Sequence, residues 1–156
     1  MKKIEQVAIY SKQPEKLIKA LEILGCDEWH HDHVVANGKV NGAEARNEAD
    51  LAFNYQLGDF EFEILNYTSG DNWHKDKDKT KPFLSHLGVH VGNVEEMKEK
   101  FGKLGLKIVQ EVETESHTNE VIKGKRKYNY VIFDTHELFG FDLKLIQRHM
   151  IGENNG

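Results

Sequence analysis

"IEQVAIYSKQPEKLIKALEILG" (residues 4–25) and "LSHLGVHVGNVEEMKEKFGKLG" (residues 84–105) align without a gap at an offset of 80. Few letters are shared, but the physical pattern is the same. Each row opens with apolar residues at every second position, which predicts a strand. Val7 and Ile9 mark one face of the first; Leu87, Val89 and Val91 mark that face of the second. A helix start follows in both. Pro14 suits a first helical position, where its missing N–H is harmless, and Asn93 suits an N-cap. Glu15 and Glu95 place negative charge in the first turn, at the positive end of the helix dipole. Leu17, Leu21 and Leu24 form one apolar stripe, and Met97, Phe101 and Leu104 form the other. Gly25 and Gly105 fall where a helix end favours a left-handed residue.

The later parts of each half also correspond. "LAFNYQLGDFEFEIL" (51–65) matches "VIFDTHELFGFDLKLI" (131–146). Phe53 falls on Phe133 at offset 80, and after one inserted residue Phe62 to Leu65 fall on Leu143 to Ile146 at offset 81. Segments near 28–36 and 106–113 leave room for further strands. Each half therefore reads as strand–helix–strand–strand–strand. One such βαβββ unit covers only one face of its sheet, so two are expected to share a core. The expectation is a single α+β domain over 1–148, with unit one at about 1–68 and unit two at about 82–148. The polar segment 69–81 reads as a linker and 149–156 as a flexible tail.

Composition narrows the function classes. The 156 residues are 38% hydrophobic and 30% charged, with a formal net charge of −5. The basic residues are scattered, so no nucleic-acid surface is indicated. No apolar run approaches the roughly 20 residues that span a bilayer, and the opening "MKKIEQVAIYS" passes straight into alternation, unlike a signal peptide. The single cysteine, Cys26, has no internal disulfide partner, which favours a reducing, cytoplasmic setting. Following the cap residue Gly25, it reads as a buried structural thiol.

Two units with this helix placement resemble the vicinal oxygen chelate superfamily, which includes glyoxalase I, methylmalonyl-CoA epimerase, extradiol dioxygenases and bleomycin-resistance proteins. The resemblance covers about residues 3–148. It implies a cupped, partly open eight-stranded sheet with helices outside and a metal site within, its ligands on the first and last strand of each unit. Carried over by position, these are Gln6 in "IEQVAIY", Glu63 in "FEFEIL", His86 in "SHLGVH" and Lys144 in "FDLKLI". The shared parity also turns Ala8, Tyr10, Glu61 and Leu65 inward, and gives His90 the face of His86.

Gln6, Glu63 and His86 as metal ligands suit Zn²⁺, Ni²⁺, Mn²⁺ or Fe²⁺; no nucleotide cofactor is indicated. Lys144 departs from the superfamily pattern, where several enzymes place a glutamate. A protonated lysine does not ligate. Two readings follow for the four positions. In one, a three-ligand metal polarises adjacent oxygens of a substrate, with Glu63 and Lys144 as catalytic residues. In the other, Lys144 pairs with Glu63 and the cup is metal-free. The corresponding functions are a glyoxalase- or dioxygenase-like small-molecule enzyme and a drug- or metabolite-binding protein of the bleomycin-resistance type. A protein that kept the fold and lost the site is a third.

Substrate-binding candidates are His117, Arg126, Tyr128 and Tyr130, the last three sharing one strand face with Ile132. Together they offer a cation and phenols to an acidic or aromatic ligand. Lys123, Lys125 and Lys127 read as solvated, and Gly124 as a hairpin turn. In "WHHDHV" (29–34), alternation separates His31 and His33 from His30 and Asp32, so the run reads as a polar strand rather than a metal cluster. Trp73 and His74 read as a linker loop. A small-molecule ligand is the expected partner, and edge strands that need covering point to a homodimer.

Overall fold

The computed structural model describes residues 1–70, 80–120 and 128–148. The tail, most of the linker (71–79), and the segment holding Lys123, Gly124, Lys125, Arg126 and Lys127 lie outside the described residues. The order is β1 (Ile4–Tyr10), α1 (Glu15–Ile23), β2 (His30–Val40), β3 (Ala43–Asn54), β4 (Glu61–Gly70), β5 (Phe83–His90), α2 (Val94–Lys103), β6 (Ile108–His117), β7 (Tyr128–Phe133), a short α3 (His136–Phe139) and β8 (Asp142–Arg148). Each half runs β1-β4-β3-β2 or β5-β8-β7-β6, with one parallel pair, β1–β4 or β5–β8. The halves meet at two antiparallel junctions, β1–β5 and β2–β6. The cupped α+β sheet expected from the sequence is present, and its strand pairing runs all the way round. The ring leaves no unpaired sheet edge among the described strands, which removes the edge-covering argument for a dimer.

The helix ends repeat as expected. Gly25 (φ 94°) and Gly105 (φ 80°) are both left-handed. In each case the glycine N–H and the next residue's N–H turn back to the helix: Gly25 to Glu22 and Cys26 to Leu21, Gly105 to Gly102 and Leu106 to Phe101. Asn93 caps α2 by accepting from the Glu96 amide at 3.1 Å. The helices differ in packing. Beneath α2, Val91, Val94, Val131, Phe133 and Leu145 form an apolar cluster with Met97 and Phe101 against it. α1 has no fully buried residue. Leu24 and Leu104, expected in the apolar stripes, are both exposed. Each lies at the capping turn, where the chain leaves the helix and carries the side chain off the packed face.

The repeat slips in the third strand of each half. Glu63 pairs with Phe53, but Lys144 pairs with Ile132. With Glu63 equivalent to Lys144 at offset 81, Phe53 is equivalent to Ile132, an offset of 79 rather than 80. A one-residue slip reverses the face. Phe53 therefore packs inside the barrel with Ala8, Tyr10 and Leu65, while Phe133 packs outside, 4.9 Å from the Phe101 ring. The first-half position equivalent to Phe133 is Asn54, a buried amide.

Inside, Ala8, Tyr10, Val34, Ala49, Leu51, Phe53 and Leu65 form one apolar wall. Ala36, Val112, Tyr130, Ile132 and Ile146 contribute to another. The β2–β6 junction is tight. A Cβ on Gly38 would lie 2.0 Å from the Glu111 carbonyl oxygen, so only glycine lets these strands approach. Gly38→Ala is expected to cost about 2 kcal/mol or more in urea denaturation. Gly92→Ala, whose Cβ meets nothing within 4 Å, is expected to stay within about 0.5 kcal/mol of the parent.

Candidate functional site

The alternation that buries Ala8 and Tyr10 also turns Gln6 inward, and the β1–β4 register sets it beside Glu61. Across β1–β5 its neighbour is Gly88. A Cβ there would come within 2.9 Å of the Gln6 Cβ, so the glycine makes room for this side chain. The Gln6 amide then joins both halves of the barrel. Its Nε2 donates to Glu61 Oε1 and Glu63 Oε2, each at 2.7 Å. Its Oε1 accepts from His86 Nε2 at 2.8 Å and from Lys144 Nζ at 2.9 Å. Two donors and two lone pairs are all a primary amide has, and all four are used. The amide is 4% exposed and Lys144 is 4% exposed. Tyr55 reaches in from the rim, its hydroxyl donating to the other Glu61 oxygen at 2.8 Å.

The four positions carried over from the resemblance thus converge, but not as a ligand shell. The amide oxygen that would face a metal instead receives an ammonium and an imidazole N–H. His86 Nε2 is spent as a donor, and its Nδ1 lies 3.1 Å from Ser85 Oγ. An ammonium within a ligand set repels a divalent cation. Among the described residues, no group of three or more His, Cys, Asp or Glu side chains is arranged to hold a metal ion. The residues present do not fit the metal that the resemblance implies.

A second buried cluster adjoins the first. Asp32 on β2 faces inward, in phase with Val34 and Ala36. Its Oδ2 lies 2.5 Å from His117 Nδ1 at the end of β6. Its Oδ1 accepts from the backbone N–H groups of His33, Thr118 and Asn119, each at 2.8 Å. One carboxylate therefore clasps the end of β6 onto β2. On the other side, His117 Nε2 lies 2.8 Å from Glu115 Oε1 as an ion pair. The Tyr130 hydroxyl donates to Glu115 Oε2 at 3.0 Å, and Lys144 Nζ sits 4.0 Å from the Tyr130 ring centre. A continuous polar chain thus crosses the barrel from Asp32 to Tyr55.

Burial opposes charge at each member of the clasp, and the partners overcome it. For His117, burial disfavours the imidazolium, but Glu115 and Asp32 raise its pKa above the ordinary value. For Asp32, burial pushes upward, but the Asn119 amide, the His117 ring and the Thr118 amide hold the carboxyl below its usual range. For Glu115, burial again pushes upward and is outweighed by His117, the Lys144 charge and the Tyr130 hydroxyl.

Both clusters border one internal cavity, lined by Glu63, His86, Glu115, Tyr130 and Lys144 on its polar side and by Val34, Leu51, Phe53, Leu65 and Ile132 on its apolar side. About 40 Å³ is open to the centres of water-sized molecules, room for roughly three waters. Asn47 and Gln110 also line it; Asn47 Oδ1 and Gln110 Oε1 are buried without a hydrogen-bond partner.

Of the residues singled out from sequence, Gln6, Glu63, His86, Lys144, His117 and Tyr130 come together in this interior. Tyr128 opens β7, opposite Arg148 on β8; Arg126 lies outside the described residues, as do Trp73 and His74. His90 does not join the cluster. It sits at the strand end, accepting the Arg148 backbone N–H. Asp32, Glu61, Glu115, Asn47 and Gln110 belong to the interior but were given no role. Their phase was available, since Asp32 alternates with Val34 and Glu115 with His117. Their partners, up to 87 residues away, were not.

No family model and no curated protein matches the chain. Solved structures do. A hypothetical protein from Bacillus halodurans is 13% identical with TM-score 0.58, over 98% of this chain and 99% of that one. Methylmalonyl-CoA epimerase from Mycobacterium tuberculosis is 11% identical with TM-score 0.54, over 94% and 88%. A variant of 4-hydroxymandelate synthase from Streptomyces coelicolor is 11% identical with TM-score 0.58, over 95% of this chain and 49% of that one. The two enzymes are members of the vicinal oxygen chelate superfamily, and the likeness is one of fold.

Two outcomes test this geometry. Gln6→Leu is expected to lower unfolding free energy by about 3–5 kcal/mol, because it removes four hydrogen bonds to buried charged and polar partners at once. The clasp sets a pH profile. A raised His117 pKa stabilises the fold fully below the ordinary imidazole value and is lost as pH rises through the raised one. Lowered Asp32 and Glu115 values stabilise above the ordinary carboxylate range and are lost as pH falls. Thermal melts are expected to peak between about pH 4 and 6.5, and His117→Gln is expected to flatten the alkaline fall.

Proposed function

We propose that the barrel interior is a metal-independent small-molecule site, closer to a binding protein than to a metal-dependent dioxygenase or glyoxalase. The observation that supports this reading is the Lys144 ammonium, 2.9 Å from the Gln6 oxygen. It occupies the place where a fourth anionic ligand would stand. At 11% identity the likeness to the epimerase is one of fold, so the activity in that neighbour's name is not carried over. Glu63 and Lys144 are assigned to holding the Gln6 amide and bordering the ligand, rather than to a bond-making step.

The ligand enters a pocket that is half apolar and half polar, the usual composition of a small-molecule site. His117 and Tyr130 serve it through Glu115: the imidazole fixes one carboxyl oxygen and the phenol the other.

The test is metal dependence, read in both directions. Purified wild-type protein is expected to carry no stoichiometric metal, and Zn²⁺, Ni²⁺ or Mn²⁺ to leave its melting temperature unchanged. Lys144→Glu is expected to melt lower than wild type without metal and to regain several degrees with it, because the set Gln6, Glu63, His86 and a fourth carboxylate then suits a divalent ion. Stoichiometric native metal, or metal stabilisation of the wild type, overturns the reading.

A further inference from the structure

The end of β6 is held differently from the rest of the ring. Pairing between β6 and β7 runs from Ile108 opposite Phe133 to Val112 opposite Tyr130. Among the described residues, the ladder then continues on the β2 side alone, from Thr114 opposite Asn37 to His117 opposite Val34. The β2–β6 register shifts between Asn37 and Gly38. Such an irregularity interrupts a ladder and bends its strand, so it separates this last stretch from the paired body of β6. Beyond the ladder, the fastening is Asp32. Its Oδ1 takes the Thr118 and Asn119 amides and its Oδ2 takes the His117 ring. The Asn119 side chain adds an exposed bond to the His31 carbonyl.

The fastening depends on charge. The side chains of His117, Asp32 and Glu115 are 3%, 0% and 8% exposed. One ring nitrogen lies 2.5 Å from Asp32 and the other 2.8 Å from Glu115. A neutral imidazole has one N–H; its other nitrogen carries a lone pair. Between two ionised carboxyls, a neutral ring would therefore set a lone pair against a carboxylate oxygen. The imidazolium avoids this. The other groups around the trio keep the carboxyls ionised. Three backbone amides hold Asp32. The Tyr130 hydroxyl on β7 donates to Glu115, and the Lys144 charge on β8 acts on it. His33, the next residue along β2, turns its ring the other way, to Asp50 and Glu48.

We propose that residues 113–119 form a latch operated by the His117 proton: they are fastened to β2 while the ring is charged, and they lift from β2, hinged at the Asn37–Gly38 irregularity, when the proton is lost. The proton goes to solvent and the ring is left neutral. Asp32 and Glu115 then have no cation between them, and lifting the strand end brings water to both. Glu115 borders the internal cavity, so the same movement opens a wall of that cavity. The latch does not depend on what the cavity binds.

The direction follows from linkage. Fastened, His117 has a raised pKa; lifted into water, it has the ordinary one. Below the ordinary value both states hold the proton, and the latch stays shut. Between the two values only the fastened state holds it, so the opening constant rises about tenfold per pH unit. Above the raised value it levels off.

Hydrogen exchange of single amides, corrected for intrinsic rate and followed from about pH 6 upward, reads the latch directly. Protection of the Thr118 and Asn119 amides is expected to fall about tenfold per pH unit through that window. The Ala8 and Val131 amides, in strands paired on both sides, are expected to keep theirs. The His117 ring ¹⁵N shifts are expected to titrate above the ordinary imidazole value. Asp32→Asn keeps the Oδ1 acceptor but loses the charge, and is expected to move the whole response to lower pH. His117→Gln is expected to abolish the pH slope, and His33→Gln to leave it unchanged. Thr118 and Asn119 protection that does not change with pH, a fall shared equally by Ala8 and Val131, or His117 titrating at or below the ordinary value overturns the latch. So does a response that disappears with His33→Gln or stays in place with Asp32→Asn. The wild-type readouts decide even where a variant does not fold.

Discussion

The Gln6 amide is the constraint on which the interior depends. Glu63 arrives from the last strand of the first half, and Lys144 from the last strand of the second. Both are buried, and an isolated buried charge costs several kcal/mol. An amide is the one neutral side chain that offers donors at one end and an acceptor at the other. Placed at the β1–β5 junction, it turns its NH₂ to the carboxylates and its oxygen to the cation and the imidazole. Its orientation is dictated by the charges, and their positions are dictated by strand register. Gly88 opposite it is part of the same arrangement, because a larger residue would push the amide out of reach of all four partners.

The second junction is held differently. At β1–β5 the halves are joined through a side chain in the middle of the strand. At β2–β6 they are joined at the strand end, by a carboxylate that gathers three backbone N–H groups and an imidazole. Backbone pairing alone would close the ring, but antiparallel ladders at a strand end fray. Asp32 fixes the register there and carries His117 inward, and His117 fixes Glu115. The clasp and the amide hub are then linked through Tyr130 and Lys144, so the two junctions are electrostatically coupled across the cavity they enclose.

Much of this was visible in the amino-acid pattern, for a physical reason. Strand parity and helix capping are local, so 4–25 over 84–105 was enough to predict two like units; that Gln6, Glu63, His86 and Lys144 meet was implied by the resemblance, carried over by position. The helix ends at Gly25 and Gly105 followed from backbone conformation alone. What escaped was non-local. The slip at Phe53 and Phe133 is invisible to letter matching, because two phenylalanines at the expected offset satisfy the eye while facing opposite ways. Register through Glu63 and Lys144 reveals it. Leu24 and Leu104 had the right spacing, but periodicity does not know where the chain turns away. Asp32 and Glu115 had an inward phase, yet a carboxylate facing inward has a role only once its partner is known, and those partners come from the far half of the chain.

The same reasoning explains why a shared fold at 11–13% identity does not carry chemistry with it. The fold fixes where four side chains meet; it does not fix what they are. With Lys144 in the fourth position, the charges of the set alternate around the amide, and every hydrogen-bonding atom of Gln6 finds a complementary partner. With a carboxylate there instead, Glu61, Glu63 and the new group would all seek donors from one NH₂, and no rotation of the amide would satisfy them. The remedy of least cost for such a set is an added cation. The residue at this one position therefore sets the sign of the charge that the Gln6 oxygen meets. In this chain the lysine places a positive charge at the Gln6 oxygen, where a carboxylate would place a negative one.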